Sequence, residues 1–235
     1  MASLVLWDVD HTLVENSGVS KAIYGSAFTV LTGLAPQVPA RTGGRTDRAI
    51  MRDMFADQGL EVPPWDVVRR SLEDAGDGHR DVMRQHGYAM PGAAAGVDAL
   101  RRVAGVVQSL VTGNIEHNAR MKLEAVGLAD AIDFSIGGYG SDSLDRADLV
   151  AVAQQRATAT HGQRFDKSNT VVIGDTVRDI DAGRRGGAAV IAVTSGIHTA
   201  EELSRQGPAL VLPGLSDTTG LVAAISGLTR HNGAA

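Results

Sequence analysis

The chain has 235 residues and a net charge of −5; 43% of it is hydrophobic, 21% charged and only 4% aromatic. The length bounds one or two domains, and so few aromatics leave the core to Val, Leu, Ile and Ala, which suits a layered α/β design. The absence of cysteine excludes disulfides, thiolate catalysis and cysteine-ligated zinc, and the acidic balance argues against a nucleic-acid partner.

The first residues run directly into an apolar strand at 4–9, with no basic segment and no stretch near the roughly 20 apolar residues of a membrane span. A soluble, cytoplasmic protein without a membrane partner is expected. Residues 15–89 show no strand pattern. They carry amphipathic helical segments at about 20–31, 47–58 and 65–85, joined by turns containing Pro and Gly. This stretch reads as a helical insertion, residues 15–89, standing as a cap over a core made of 1–14 and 90–235. Further apolar runs at 106–111, 170–173 and 189–193, with weaker ones at 132–136 and 210–212, read as strands buried on both faces. Between them lie helices from about 114 to 126, 148 to 159 and 178 to 185; the tail after about 229 is expected to fray. The alternation of helix and strand predicts a doubly wound parallel α/β sheet.

Three clusters follow strand ends. Asp8 and Asp10, two apart on an extended chain, point to one side. Such a pair is costly beside an apolar sheet unless a cation joins it, and hard carboxylate oxygens suit Mg²⁺; a polar strand-end turn is the alternative. Thr112, Gly113 and Asn114 combine a hydroxyl, a glycine and a helix start, a site for an anion or an ordinary strand-to-helix turn. Asp175 and Asp179 lie one helical turn apart, so both can face one site while also capping the helix. Ligands in open α/β sheets bind at the carboxyl ends of strands, where all three clusters fall.

As a set, these motifs resemble those of the haloacid dehalogenase superfamily, in particular its phosphoglycolate-phosphatase and β-phosphoglucomutase group. Asp8, Asp10 and Thr12 match the first motif, Thr112 the second, and Asp175 and Asp179 the fourth. The resemblance implies a Rossmann-like core with a helical cap of the C1 type, inserted between the first two motifs, and a small-molecule phosphate ester as substrate. It implies Asp8 as nucleophile, Asp10 as acid and base, and Thr112, Gly113 and Asn114 as phosphate ligands. Mg²⁺ would be held by Asp8, the Asp10 backbone carbonyl, Asp175 and Asp179.

Two departures stand out. His11 occupies a position that is often glycine. The Lys usual in the third motif is absent, and Arg146 takes its place as the phosphate-facing cation, with Lys122 as the competing candidate. In the cap, the basic, glycine-hinged loop 41–47 offers Arg45 and Thr46 as substrate contacts; a solvated loop is the alternative. The resemblance implies a magnesium-dependent phosphatase. A sugar-phosphate mutase and a non-catalytic phosphate-binding protein remain as alternatives, and neither the substrate nor the oligomeric state can be read.

Overall fold

The computed structural model describes residues 2–231. The backbone is helical to His231, and the rest of the expected frayed tail, 232–235, lies outside the described residues. Strand β1 (Ser3–Trp7) enters the sheet first. A two-residue strand β2 (Val14–Glu15) and helices α1 (Val19–Thr32), α2 (Asp47–Asp57), α3 (Trp65–Gly78) and α4 (Arg80–His86) follow, and then β3 (Tyr88–Ala89). The chain continues through α5 (Ala93–Arg101), β4 (Val106–Thr112), α6 (Glu116–Ala125), β5 (Gly138–Tyr139), α7 (Arg146–His161) and β6 (Thr170–Gly174). It closes with α8 (Val177–Gly186), β7 (Ala189–Val193), α9 (Ala200–Arg205), β8 (Leu210–Leu212) and α10 (Thr218–His231).

Six strands form one parallel sheet in the order β5-β4-β1-β6-β7-β8. The period of two along β1 sorts its side chains between faces. Val5 and Trp7 join one apolar cluster with α5, α6 and α10, whereas Leu4 and Leu6 join another with α7, α8 and α9. Burial on both faces explains why each long strand reads as a continuous apolar run. The strands predicted at 106–111, 170–173, 189–193 and 210–212 are all present.

The run at 132–136 is not a strand. Asp133 accepts hydrogen bonds from the N–H and hydroxyl of Ser135, which closes a short 3-10 turn at Phe134–Ile136. Pairing with β4 moves on to Gly138 and Tyr139. Gly138 is needed there because a Cβ would lie 2.0 Å from the Leu149 carbonyl oxygen of α7. The helix predicted over 65–85 is two helices that break at His79, whose N–H bonds back to both Ala75 and Gly76.

The helices between β1 and α5 pack on one another, with Phe28 of α1 meeting Phe55 of α2 edge to face at 5.1 Å. The chain enters and leaves this segment side by side, because β2 and β3 form an antiparallel ribbon pairing Val14 with Ala89 and Glu15 with Tyr88. Two-residue strands are too short to show alternation, which is why neither is visible as a periodic pattern. Among the described residues, no helix is long and apolar enough to cross a membrane.

Candidate active site

The register of the sheet brings the three clusters level. Trp7 pairs with Leu110 on one side and Ile173 on the other, so Asp8, Thr112 and Asp175 emerge together at the carboxyl edge. The Asp8 N–H still donates to the Ile173 carbonyl at 2.9 Å. The chain then turns sharply at His11, whose φ of 64° lies in the left-handed region. Glycine enters that region at no steric cost, which accounts for its frequency in this place. His11 takes the strain and sets its Nδ1 3.0 Å from Glu15 Oε2.

Asp8, Asp175 and Asp179 are all buried, and one carboxylate oxygen of each lies within 4.8 Å of the others. Burial pushes the Asp8 carboxyl up; Arg146 opposes this, and the charges of Asp179 and Asp10 add to it. Asp175 is raised for the same first reason, with Asp179 and Asp8 adding repulsion and a 3.1 Å hydrogen bond from the Thr12 hydroxyl opposing it. Asp179 is held by its capping box: its Oδ2 accepts from the Thr176 N–H at 2.9 Å and from the Thr176 hydroxyl. Its buried Oδ1 makes no well-aligned hydrogen bond, although an Arg146 nitrogen lies 2.5 Å away. Three hard, converging carboxylates, two of them with raised affinity for protons (Asp8 and Asp175), and an incompletely satisfied oxygen on the third fit a divalent cation such as Mg²⁺.

Arg146, the first residue of α7, is buried, donates to Asp8 at 2.6 Å and faces Asp179. Its own burial disfavours the charge, but Asp179 and Asp8 outweigh that and hold the guanidinium protonated. Lys122 goes elsewhere. Its ammonium lies 2.8 Å from both oxygens of Asp10. The two cations named as rivals for one role therefore serve different carboxylates.

Asp10 does not join the carboxylate trio. Its Oδ1 accepts from Asn16 at 2.7 Å and its Oδ2 from Asn114 at 2.9 Å, in addition to Lys122. Burial alone would raise this carboxyl. The Lys122 charge and these hydrogen bonds reverse the sign and hold it below its ordinary value. Thr112 is fully buried, and its hydroxyl accepts from the Asn114 side chain at 2.8 Å.

A cavity of about 580 Å³ opens between the sheet edge and the helical segment. Asp8, Asp10, Thr112, Gly113, Asn114 and Arg146 form its floor, and Lys21, Tyr24, Arg41 and Arg45 come from the opposite side. Loop 41–47 sits directly on the floor. The Asp47 N–H donates to the Gly113 carbonyl at 2.7 Å, and a Cβ on Gly113 would lie 1.9 Å from the Arg45 carbonyl oxygen. Arg45 lines the cavity with its guanidinium paired to Asp53. Thr46 is placed otherwise than expected. It is 1% exposed and caps α2, accepting from the Ala49 N–H and donating to the Leu144 carbonyl at 3.1 Å, so its hydroxyl is committed within the protein.

The family model for haloacid dehalogenase-like hydrolases matches residues 5–184. The chain belongs to this family. It is 27% identical over 233 residues to the probable phosphatase IndB of Dickeya dadantii (strain 3937), covering 96% of this chain and 95% of that one. Two examples stand for the many solved structures that share the fold. A predicted phosphoglycolate phosphatase from Haemophilus somnus superimposes with a TM-score of 0.66 at 16% identity, over 94% of this chain and 98% of the other. CbbY from Rhodobacter sphaeroides, in complex with phosphate, gives 0.64 at 16% identity, over 92% and 96%.

Several contacts of this haloacid dehalogenase-like site escaped the sequence reading. Asn16, Ser20 and Tyr24 come from the start of the helical segment and carry no local signature, because what they touch is distant in sequence. Gly196 is another: a Cβ there would lie 1.8 Å from Asp175 Oδ2, so the loop after β7 closes tightly over that carboxylate.

Proposed function

We propose that the protein is a magnesium-dependent phosphatase that hydrolyses a small-molecule phosphate monoester through an aspartyl-phosphate on Asp8. The observation that carries this reading is the separation of Asp8 and Asp10. Asp8 shares its end of the cavity with Asp175 and Arg146 and lies beside the fully buried Asp179, a setting for a nucleophile beside a metal and a phosphate. Asp10, two residues on, is turned to a different set of donors and keeps a side chain 25% exposed, a setting for proton transfer.

In this reading Asp8, Asp175, Asp179 and the Asp10 backbone carbonyl would hold Mg²⁺, which when bound would neutralise charge on the phosphoryl group. Arg146, Thr112, Gly113 and Asn114 bind the phosphoryl oxygens. An Asp8 oxygen attacks phosphorus, the bond to the ester oxygen breaks, and Asp10, whose surroundings favour the ionised form in the free site and which must therefore take up a proton in the substrate complex, passes that proton to the departing alcohol. Asp10 then takes a proton from the water that attacks the aspartyl-phosphate, and inorganic phosphate leaves with Asp8 regenerated. The segment 15–89 acts as a cap that excludes bulk water, and Arg45 contacts the part of the substrate beyond the phosphate. The docked loop over Gly113 and the cavity volume support a small substrate.

The test is phosphate release from a panel of small phosphate esters with and without Mg²⁺. Release confined to Mg²⁺ supports the reading. No release from any ester, or isomer formation from a sugar monophosphate without net hydrolysis, would overturn it.

A further inference from the structure

Lys122 is 1% exposed, and its position on α6 places its ammonium beneath Asp10 rather than at solvent. An ammonium has three protons, and here all are used. One is shared between the two oxygens of Asp10, each 2.8 Å away, and the other two go to the Ser20 hydroxyl at 2.7 Å and to Asn114 Oδ1 at 2.6 Å. The bond to Asn114 Oδ1 also orients that amide, so its Nδ2 faces Asp10 Oδ2 and Thr112 Oγ1. Ser20 in turn reaches Asp10 Oδ1 at 3.3 Å.

A buried ammonium is unfavourable unless fully paired. This one is paired to a carboxylate two residues past the proposed nucleophile, to a phosphate-site residue and to a residue of α1. It thus ties three parts of the site together: the loop after β1, the loop after β4 and the first helix of the cap segment.

We propose that Lys122 is a positioning residue for Asp10. It fixes the carboxylate in the orientation that faces the ester oxygen, and it does so fully only when α1 is docked and Ser20 completes its coordination. This rests on the phosphatase reading above. Lys122 keeps its three protons throughout and transfers none; the proton that moves belongs to Asp10. The role is distinct from that of Arg146, which addresses Asp8 and Asp179.

The experiment compares two leaving groups in the Lys122→Met variant, a neutral side chain of similar length. A p-nitrophenolate departs without a proton, so formation of the aspartyl-phosphate should not need an oriented Asp10. An alkoxide needs one. The expected result with glycerol phosphate is a kcat lower by about 100-fold at a KM within about threefold. With p-nitrophenyl phosphate, the pre-steady-state burst of nitrophenol should stay within about threefold of wild type while steady turnover falls.

An equal loss in burst and in glycerol phosphate turnover, or wild-type turnover of both esters, would overturn the proposal. If circular dichroism shows that Lys122→Met does not fold, Ser20→Ala decides, since it leaves the ammonium in place. It should lower glycerol phosphate turnover by about tenfold with the burst intact, and unchanged turnover would count against the idea. Failure of the phosphatase reading looks different: the wild-type protein itself would show neither burst nor phosphate release.

Discussion

Arg146 donates to Asp8 at 2.6 Å across 138 residues of sequence, from the first turn of α7 to the tip of β1. A guanidinium at a helix start would ordinarily oppose the helix dipole. Here two carboxylates, Asp8 and Asp179, hold it in place. Arg146→Lys keeps the charge but replaces the planar guanidinium, whose Nη2 reaches both partners, with an ammonium of different reach and geometry. We expect kcat/KM to fall about tenfold in Arg146→Lys and about 1,000-fold in Arg146→Ala. Steady-state kinetics with any accepted ester would check the order; wild-type activity in Arg146→Lys would show that charge alone is required, and equal losses in the two variants would show that charge without the guanidinium contributes nothing.

Asp8→Asn should abolish turnover, with kcat reduced by more than about 10⁴-fold, while the fold survives. Burial, Asp179 and Asp10 all disfavour the Asp8 charge, so neutralising it should leave the metal-free protein at least as stable as wild type. Thermal denaturation in EDTA alongside phosphate-release assays tests both halves. Wild-type activity in this variant would remove Asp8 from the mechanism.

Mg²⁺ should raise the melting temperature, because a cation relieves the mutual repulsion of Asp8, Asp175 and Asp179. The raised carboxyls of Asp8 and Asp175 set the sign of the pH effect. Protons compete with the metal, so the Mg²⁺-induced shift should shrink as pH falls through the range in which they protonate. Asp175→Asn should lose most of the shift. A shift that grows on acidification would contradict the site.

The sheet was legible from sequence because each central strand is buried on both faces and so reads as an unbroken apolar run. The aspartates were legible because they immediately follow such runs. What could not be read depends on contacts over long separations. The pairing of β2 with β3 joins residues 14–15 to 88–89, and the donors to Asp10 at 16, 20 and 122 meet only once α1 and α6 are packed. The ambiguity at Thr46 is local. A threonine before Asp47 at a helix start is as much a capping signal as a substrate-binding one, and the hydroxyl is spent on α2.

Gly113→Ala adds one methyl group and changes no chemistry, yet its Cβ would lie 1.9 Å from the Arg45 carbonyl oxygen. The clash is with backbone, so loop 41–47 has to lift away from the sheet edge. We expect kcat/KM to drop by about 100-fold with only a modest loss of stability, since relief comes by undocking the loop rather than by disturbing the core. Limited proteolysis should cut loop 41–47 faster in the variant. Undiminished activity would mean that the docked loop is not part of the working site.

Asp47 joins the helical segment to the core through its side chain. Its Oδ2 accepts from the Ile115 N–H at 2.8 Å and its Oδ1 from the Tyr24 hydroxyl at 2.6 Å. Burial raises its carboxyl from an ordinary 3.8 to about 6, against the opposing effect of those two hydrogen bonds. Because the folded value lies above the unfolded one, the folded state holds more protons between the two. The contribution of this group to stability is therefore full below about pH 4 and lost as pH rises through about 6, a swing of about 3 kcal/mol. Asp47→Asn keeps an acceptor for Ile115 and lets the Tyr24 oxygen accept from the new amide, without a buried charge. The variant should melt several degrees above wild type at pH 7.5, and the gap should close by pH 4. The difference between the two proteins isolates Asp47 from every other titrating group. A gap that widens toward acid would reverse the assignment and show that the charge of Asp47 stabilises the docked loop rather than strains it.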